Sequence, residues 1–177
     1  MDFPRRRWLN HQTPAWVTNP DFFITLCTVP HGTDQLCQPG VAEGVIESFV
    51  HRHENHVWYV WACVVMPDHV HAVISPADDI DLTRSVADFK RWLARQKRIR
   101  WQRGFFDHRI RDHAFLSQYC QYIEENPVRA GLVQKASDWP YFWEAQPCNR
   151  MCDKGTDALP RHPQIKDAPA GHPYLFW

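Results

Sequence analysis

Two apolar, β-rich runs separated by three residues constrain the fold of this chain more than any other feature. The first run, VWYVWACVV, covers residues 57–65, and the second, HVHAVIS, covers residues 69–75. Met66-Pro67-Asp68 stands between them, and this short connection predicts a β-hairpin. Because residues 57–65 are apolar without interruption, we expect this strand to be buried and the hairpin to lie in the centre of a sheet.

The segments on either side of the hairpin predict an α+β fold. Periodicity and stop signals indicate a strand over 22–29, a helix over 41–54, a helix over about 82–100, a strand over 105–111 and a last helix over about 113–125. Asn126-Pro127 is expected to end that last helix. The order β-α-β-β-α-β-α predicts an antiparallel sheet with helices packed on one face, which is a ferredoxin-like or RRM-like architecture.

One domain over residues 22–144 is predicted from a chain of 177 residues. Residues 1–21 predict a basic N-terminal arm, and the Pro-rich residues 145–177 predict an aromatic C-terminal tail. The chain contains no apolar run of about 18 residues and no signal-peptide core at its start, so we expect a cytoplasmic protein without a membrane partner. The six cysteines form no C-x-x-C pair, which indicates reduced thiols.

The formal net charge of zero conceals a basic segment. Residues 1–83 carry a net charge of −6, residues 84–111 carry +8, and residues 112–177 carry −2. The aromatic residues of the central segment are Trp92, Trp101, Phe105 and Phe106. Basic groups interleaved with rings are typical of surfaces that bind single-stranded or hairpin DNA. The alternative is a solvated helix face with Trp92 in the core.

The residues predicted to contact DNA lie on the arm and in the basic segment. Three- and four-residue spacing of several basic side chains places them on one face of the second helix, and the arm is expected to reach neighbouring DNA. The predicted contacts are Arg5, Arg6, Arg7, Lys90, Arg91, Arg95, Lys97, Arg98, Arg100, Arg103 and Trp101.

A histidine pair in the hairpin is the candidate metal site. His69 and His71 alternate along one strand, so both imidazoles should face the same side, where neutral nitrogens can share a metal ion. Two protein ligands leave the coordination sphere open, as a catalytic metal requires. Two satisfied histidines on a sheet face are the alternative. His51 and His53 have the same spacing, but on a helix they diverge by about 200° and should not chelate.

Tyr122 and Asn126 lie one turn apart on the last predicted helix. Asn offers a carbonyl oxygen to a hard cation, and Tyr offers a phenol that can attack a phosphate. Tyr119, Tyr122 and Ile123 also fit a core stripe, and Asn-Pro is an ordinary helix stop. The residue pattern alone leaves both interpretations open.

Three motifs together resemble the REP-associated tyrosine transposases, which are single-tyrosine HUH transposases related to the smallest insertion-sequence enzymes. The motifs are Met66-Pro67-Asp68-His69-Val70-His71, the segment WQRGFFDH at 101–108 and the segment YIEENPVRAGLV at 122–133. They occur in the family's order, and the resemblance covers about residues 20–143. One departure is visible, because Phe142-Trp143 stands where the family usually has small serines.

The resemblance implies an HUH endonuclease architecture and a set of roles. His69 and His71 would bind Mg²⁺ or Mn²⁺, Asn126 would be the third ligand or an orienting group, and Tyr122 would be the nucleophile. The implied activity is nicking and strand transfer of single-stranded DNA at palindromic REP hairpins through a 5′-phosphotyrosine intermediate. The implied location is the cytoplasm, associated with the nucleoid when DNA is bound, and the choice between monomer and homodimer is open.

Two alternative functions follow from the same residues. The first is a non-cleaving protein that binds REP hairpins or single-stranded DNA on the same fold. The second is a zinc hydrolase that uses His69 and His71. That hydrolase would need an acidic third ligand, and Asp68 is the nearby candidate, although its side chain would point to the opposite sheet face if the strand already began there.

Overall fold

The structure, a computed structural model, describes residues 20–145 of the chain. Its strands and helices are β1 (Asp21–Cys27), α1 (Val41–Glu54), β2 (Trp58–Val65), β3 (His69–Pro76), α2 (Leu82–Lys97), β4 (Phe106–Ile110), α3 (Leu116–Glu124), α4 (Asn126–Arg129) and β5 (Phe142–Glu144). Nearly all of the predicted arm, with Arg5, Arg6 and Arg7, and nearly all of the predicted tail lie outside the described residues.

The strands form one sheet in the order β4-β1-β3-β2-β5, and every neighbouring pair is antiparallel. This arrangement confirms the α+β class and places the predicted β2–β3 hairpin inside the sheet. No helix within residues 20–145 has both the length and the apolar character needed to cross a membrane.

Helices cover both faces of the sheet, so the expectation of helices on one face is wrong. On the first face, α1 and α2 pack against Phe22, Ile24 and Leu26 of β1. On the opposite face, α3 packs against Phe23 of β1 and Val73 of β3. The central strands carry apolar side chains on both sides, and a helix layer on each side shields them from water. These two sides are called the α1/α2 face and the α3 face below.

A β-bulge in β2 adjusts which side chains reach each face. Val60 pairs with Ile74, whereas Ala62 pairs with Val73, so Trp61 is the extra residue. Val60 lies in the core of the α1/α2 face, and the Trp61 ring packs at the edge of the core on the α3 face. The bulge therefore adds an indole to the α3 face, while the side chains on either side of it keep alternating between the two faces.

Helix α2 is amphipathic, as its spacing predicted. The carboxylate of Asp81 caps it by accepting a hydrogen bond from the Arg84 amide (2.6 Å). The helix ends at Lys97, earlier than predicted, because Arg98 adopts a left-handed backbone conformation with φ 57°. Trp92 is 47% exposed, so the alternative that placed this ring in the core is wrong.

The segment after α3 differs from the prediction in two ways. Helical structure resumes at Asn126–Arg129, with Pro127 in the first turn, where a missing amide donor removes no helical hydrogen bond. Phe142–Glu144 then forms an edge strand along β2, in which Trp143 pairs with Cys63. Phe142 and Trp143, where the sequence departs from the resembling family, thus extend the sheet.

Candidate active site

Strand β3 brings His69 and His71 together on the α3 face, as the alternation predicted. Their ring centroids are 4.7 Å apart, and the two residues are only 4% and 1% exposed. Burial, reinforced by the nearby His69, lowers the pKa of His71 well below its ordinary value. A neutral imidazole is the form that binds a metal ion, so His71 is already in the required protonation state.

Each of the two imidazoles is held through its Nδ1 atom. His69 donates a hydrogen bond from Nδ1 to Asp68 Oδ1 (2.8 Å), and His71 Nδ1 shares one with Thr25 Oγ1 (2.9 Å). The Nε2 atom of His71 is buried and has no hydrogen-bond partner within residues 20–145. Buried polar atoms normally have a partner, and metal-binding histidines are commonly oriented through the other ring nitrogen. The pair therefore fits a divalent cation at Nε2.

Asp68 orients His69 instead of completing a set of metal ligands. Because β3 begins at His69, Asp68 remains in the turn and its side chain folds back onto that imidazole, so it does not point to the opposite face. Its second oxygen accepts the amide of Gly32 (2.6 Å). Burial acts to raise the pKa of the Asp68 carboxyl, but hydrogen bonds from His69 and Gly32 hold it below its ordinary value.

The described residues offer no acidic third ligand beside the histidines. Across residues 20–145, no three His, Cys, Asp or Glu side chains are grouped so that they could hold a metal ion. Both oxygens of Asp68 are already engaged. This arrangement gives the zinc hydrolase alternative no support.

Helix α3 places Tyr122 next to His71. Their ring centroids are 6.2 Å apart, and Phe23, which stacks on His71 at 5.2 Å, lies 5.9 Å from the Tyr122 ring. Tyr119, three residues earlier, packs instead against Phe23 and His108 and is nearly buried. Of the two tyrosines in the predicted stripe, Tyr119 thus belongs to the core and Tyr122 borders the histidine pair.

The environment of Tyr122 keeps its phenol protonated but places a positive charge beside it. Burial raises the pKa of Tyr122, while the charge of Arg129 and a hydrogen bond with the Asn126 side chain oppose that shift. The Arg129 guanidinium lies 5.0 Å from the centre of the Tyr122 ring. Attack by the phenol would therefore require loss of its proton during the reaction.

Asn126 is buried at the junction of α3 and α4. Its Nδ2 donates a hydrogen bond to the backbone carbonyl of Tyr122 (2.9 Å). The bond fixes the amide group and ties the start of α4 to the nucleophile candidate. The side-chain carbonyl oxygen is the atom that Asn126 could offer to a cation, and its role as a metal ligand stays a prediction.

Helix α2 carries its predicted DNA-binding residues on the opposite side of the sheet from His69, His71 and Tyr122. The loop after α2 returns toward the histidines. The amide of Gln102 donates to the carbonyl of Cys27 (2.8 Å), and Cys27 pairs with His69 in the sheet. Of the predicted DNA contacts in this segment, Arg91, Arg95, Arg98, Arg100 and Arg103 are exposed, whereas Lys97 is half-buried.

Two residues predicted to contact DNA, Lys90 and Trp101, make contacts within the fold. The Lys90 ammonium donates to the carbonyls of Gln102 (2.6 Å) and Gly104, and burial lowers its pKa to about 8. Trp101 forms a β-bridge with Thr28 and packs half-buried against the core of the α1/α2 face. Lys90 therefore holds the loop after α2, contrary to its predicted place on an open cationic surface. Trp92 presents the more exposed ring.

The comparison with curated proteins identifies two relatives. No family model matches the chain. A protein of Haemophilus influenzae is 32% identical over 105 residues, which are 50% of this chain and 60% of that protein. A protein of Escherichia coli K12 is 32% identical over 83 residues, which are 45% of this chain and 50% of that protein. Both are named as REP-associated tyrosine transposases, and the match spans about half of their length.

A solved structure shares the fold. It is that of a REP-associated tyrosine transposase bound to a REP hairpin, and it superposes with a TM-score of 0.61 over 80% of this chain and 82% of that chain, at 24% identity. At this identity the superposition supports the architecture alone. The resemblance predicted from the motifs is confirmed: in sequence and in fold, this chain is similar to the REP-associated tyrosine transposases.

Proposed function

We propose that this chain is a metal-dependent tyrosine endonuclease. It nicks single-stranded DNA at palindromic REP-type hairpins and transfers the strand through a 5′-phosphotyrosine intermediate. The observation that carries the proposal is the contact between Tyr122 and His71, whose buried Nε2 has no hydrogen-bond partner in residues 20–145. The names of the two relatives and the hairpin bound to the structural neighbour support a transposase-like role on hairpin DNA.

His69 and His71 would hold Mg²⁺ or Mn²⁺ through their Nε2 atoms, with Asn126 as the third group. When bound, the cation polarises the scissile phosphate and stabilises the departing 3′-oxygen. Asp68 and Thr25 fix the two rings through Nδ1, so little conformational freedom is lost on metal binding.

Tyr122 supplies the nucleophile. Its phenolic oxygen forms a bond to phosphorus while the bond from phosphorus to the 3′-oxygen breaks, the phenol proton leaves, and the 3′-oxygen is protonated. The products are a 5′-phosphotyrosine and a free 3′-hydroxyl. Arg129, above the ring, favours the negative charge that develops on the phenolic oxygen. One phosphodiester is exchanged for another, so strand transfer requires no nucleotide cofactor.

The exposed arginines of the basic segment would bind the folded DNA. Arg100 and Arg103 lie in the loop after α2. This loop is hydrogen-bonded to Cys27 and Val29 at the end of β1, and Cys27 pairs with His69 in the sheet. Arg91 and Arg95 extend the positive charge along α2. Phosphate contacts of this kind position a nucleic acid without reading its sequence.

Substitution of the nucleophile tests this proposal. Labelled hairpin DNA with Mg²⁺ or Mn²⁺ should give a denaturation-resistant protein–DNA band with the wild type. We expect Tyr122→Phe to abolish the band and to retain hairpin binding, because only the phenolic oxygen is removed. Tyr119→Phe is the matched control, since Tyr119 lies on the same helix but packs in the core, and it should retain the band.

An undiminished band in Tyr122→Phe would contradict the assignment of the nucleophile. A wild-type protein that binds the hairpin and never forms the band would instead support the non-cleaving DNA-binding alternative. The gel separates the two cases in one experiment.

A further inference from the structure

A second polar group lies on the α3 face, at the end of β3 farther from His69. At its centre is the buried Asp21, the first residue of β1. Its Oδ1 accepts hydrogen bonds from Ser75 Oγ (2.5 Å) and Trp61 Nε1 (3.1 Å), and its Oδ2 accepts one from His113 Nδ1 (2.9 Å). Three donors from three separate parts of the chain thus satisfy this carboxylate and fix its position.

One ring nitrogen of His113 is hydrogen-bonded within the fold, while most of its side chain is exposed to solvent. Its bond to Asp21 uses Nδ1, which directs Nε2 away from the carboxylate. The side chain is 68% exposed even though it is anchored. A ligand that bonds to this imidazole therefore meets a group that is already ordered, which reduces the entropic cost of binding.

An open cavity of about 550 Å³ lies beside His113. It is called the Asp21 pocket here, and the lining residues used in the argument are Asp21, His53, His56, Tyr59, Trp61 and His113. The Tyr59 ring is 4.5 Å from the Trp61 ring and 4.8 Å from the His53 ring, and Trp61 is 5.4 Å from His113. Tyr59 is 41% exposed, so the row of rings presents accessible surface.

The chemistry of the Asp21 pocket suits a nucleotide. Exposed rings provide a stacking surface for any base, and the second ring nitrogen of His113 can form a hydrogen bond with a polar group of the nucleotide. The single carboxylate of the lining is engaged by three donors and repels an anion less than an open carboxylate would. A chelated metal is not the occupant indicated here, because no three His, Cys, Asp or Glu side chains within residues 20–145 are grouped so that they could hold one.

The Asp21 pocket and Tyr122 lie on the same face of the sheet. Ser75 and His71 are four residues apart on β3 and share that face, so they are separated by about 13 Å. Helix α3 spans the same interval, from beside His113 to Tyr122. A DNA strand that is held at Tyr122 can therefore extend to the pocket.

We propose that the Asp21 pocket binds an unpaired nucleotide of the DNA strand that is cleaved at Tyr122. The base stacks on Tyr59, and the edge of the base forms a hydrogen bond with Nε2 of His113. This inference rests on the proposed function, and it adds a binding site for single-stranded DNA that is separate from the basic segment.

Two DNA molecules test the inference: a bare hairpin and the same hairpin with a single-stranded extension. Dissociation constants are measured by fluorescence anisotropy with the full-length chain, in chelator so that the DNA stays intact. We expect Tyr59→Ala and, separately, His113→Ala to weaken binding of the extended hairpin about tenfold and to leave the bare hairpin unchanged. Phe115→Ala is the matched control, since it removes an exposed ring outside the pocket and should affect neither DNA.

Equal weakening for both DNA molecules, or no weakening in either variant, would overturn the inference. Both substituted side chains are exposed, and unchanged melting temperatures would show that the variants remain folded. A wild-type protein that forms no covalent adduct but shows the extension-dependent loss would contradict the proposed cleavage alone. Adduct formation without that loss would contradict the pocket alone.

Discussion

The environment of His71 depends on one hydroxyl group. Thr25 stands opposite His71 in the register of β1 and β3. The hydrogen bond between them occupies Nδ1 of His71, so Nε2 is the ring nitrogen that remains for a metal ion. Phe23 stacks on the same imidazole and also contacts the Tyr122 ring. Two residues of β1, Phe23 and Thr25, therefore determine how the candidate metal ligand faces the candidate nucleophile.

Replacing Thr25 by Val keeps the shape of the side chain and removes its hydrogen bond. We expect Thr25→Val to weaken Mn²⁺ binding by about 10- to 100-fold, because a ligating imidazole loses the partner that orients it. Titration of the protein with Mn²⁺, followed by electron paramagnetic resonance, measures the affinity directly. Thr33→Val is the control, since Thr33 is exposed and its hydroxyl bonds to the carbonyl of Pro30 and the side chain of Gln35, neither of which belongs to the histidine pair. Equal affinities in the wild type and Thr25→Val would contradict the role of the hydroxyl.

The residues of the candidate site could be predicted from the sequence, but the neighbouring side chains that orient them could not. His69, His71, Tyr122 and Asn126 stand in recognisable motifs. The contribution of Thr25 depends on which residue faces His71 across two strands, and strand register is not legible in a single strand's composition. Arg129 lies within the YIEENPVRAGLV motif, but its place above the Tyr122 ring follows from the unpredicted turn into α4.

Among the elements, α2 shows that basic side chains on one helix can serve different purposes. Arg95 is exposed, whereas the Lys90 ammonium is bonded to the carbonyls of Gln102 and Gly104. A charge that already has partners within the fold has less to gain from a phosphate than a solvated charge on the surface.

The salt dependence of hairpin binding should distinguish these two residues. For Arg95→Gln, we expect the magnitude of the slope of log affinity against log salt concentration to decrease by about 1, because one phosphate contact is lost. For Lys90→Met, we expect the slope to stay unchanged. Affinities measured by anisotropy between low and moderate salt concentration provide both slopes. A slope that falls equally in the two variants would contradict the structural role of Lys90.

Sequence pattern predicts where most helices and strands begin and end, but it does not predict which surface each of them packs against. Helix α1 has the bounds that apolar spacing predicted, and the hairpin strands agree within about one residue. The position of α3 on the second face was not predicted, since a helix's own periodicity shows which side is apolar but not which surface it meets. Strand β5 is short, and its formation depends on the free edge of β2.

In the whole molecule, the sheet separates two apolar cores that are closed by different helices. The core of the α1/α2 face contains residues such as Leu93, and the core of the α3 face contains Ile123, both of which are fully buried. Tyr122 immediately precedes Ile123 in α3. The position of the nucleophile candidate therefore depends on how firmly the α3 core holds its helix.

Truncation of one side chain on each face measures this dependence. We expect Ile123→Ala to lower the free energy of unfolding by about 2–5 kcal/mol, in the same range as Leu93→Ala, because each substitution leaves a cavity in a closed core. Urea denaturation followed by circular dichroism provides the values. A negligible effect of Ile123→Ala beside a large effect of Leu93→Ala would mean that α3 is only loosely attached.

The β-bulge at Trp61 bears on how this chain can change in length. If residue 61 were deleted, Val60 and Ala62 would become neighbours with ordinary alternation, and both would keep the faces they occupy now. Deletion of Val60 would instead turn the Trp61 indole toward the α1/α2 face. Related chains that are shorter by one residue at this point could thus retain both cores, and they would lack the indole donor to Asp21.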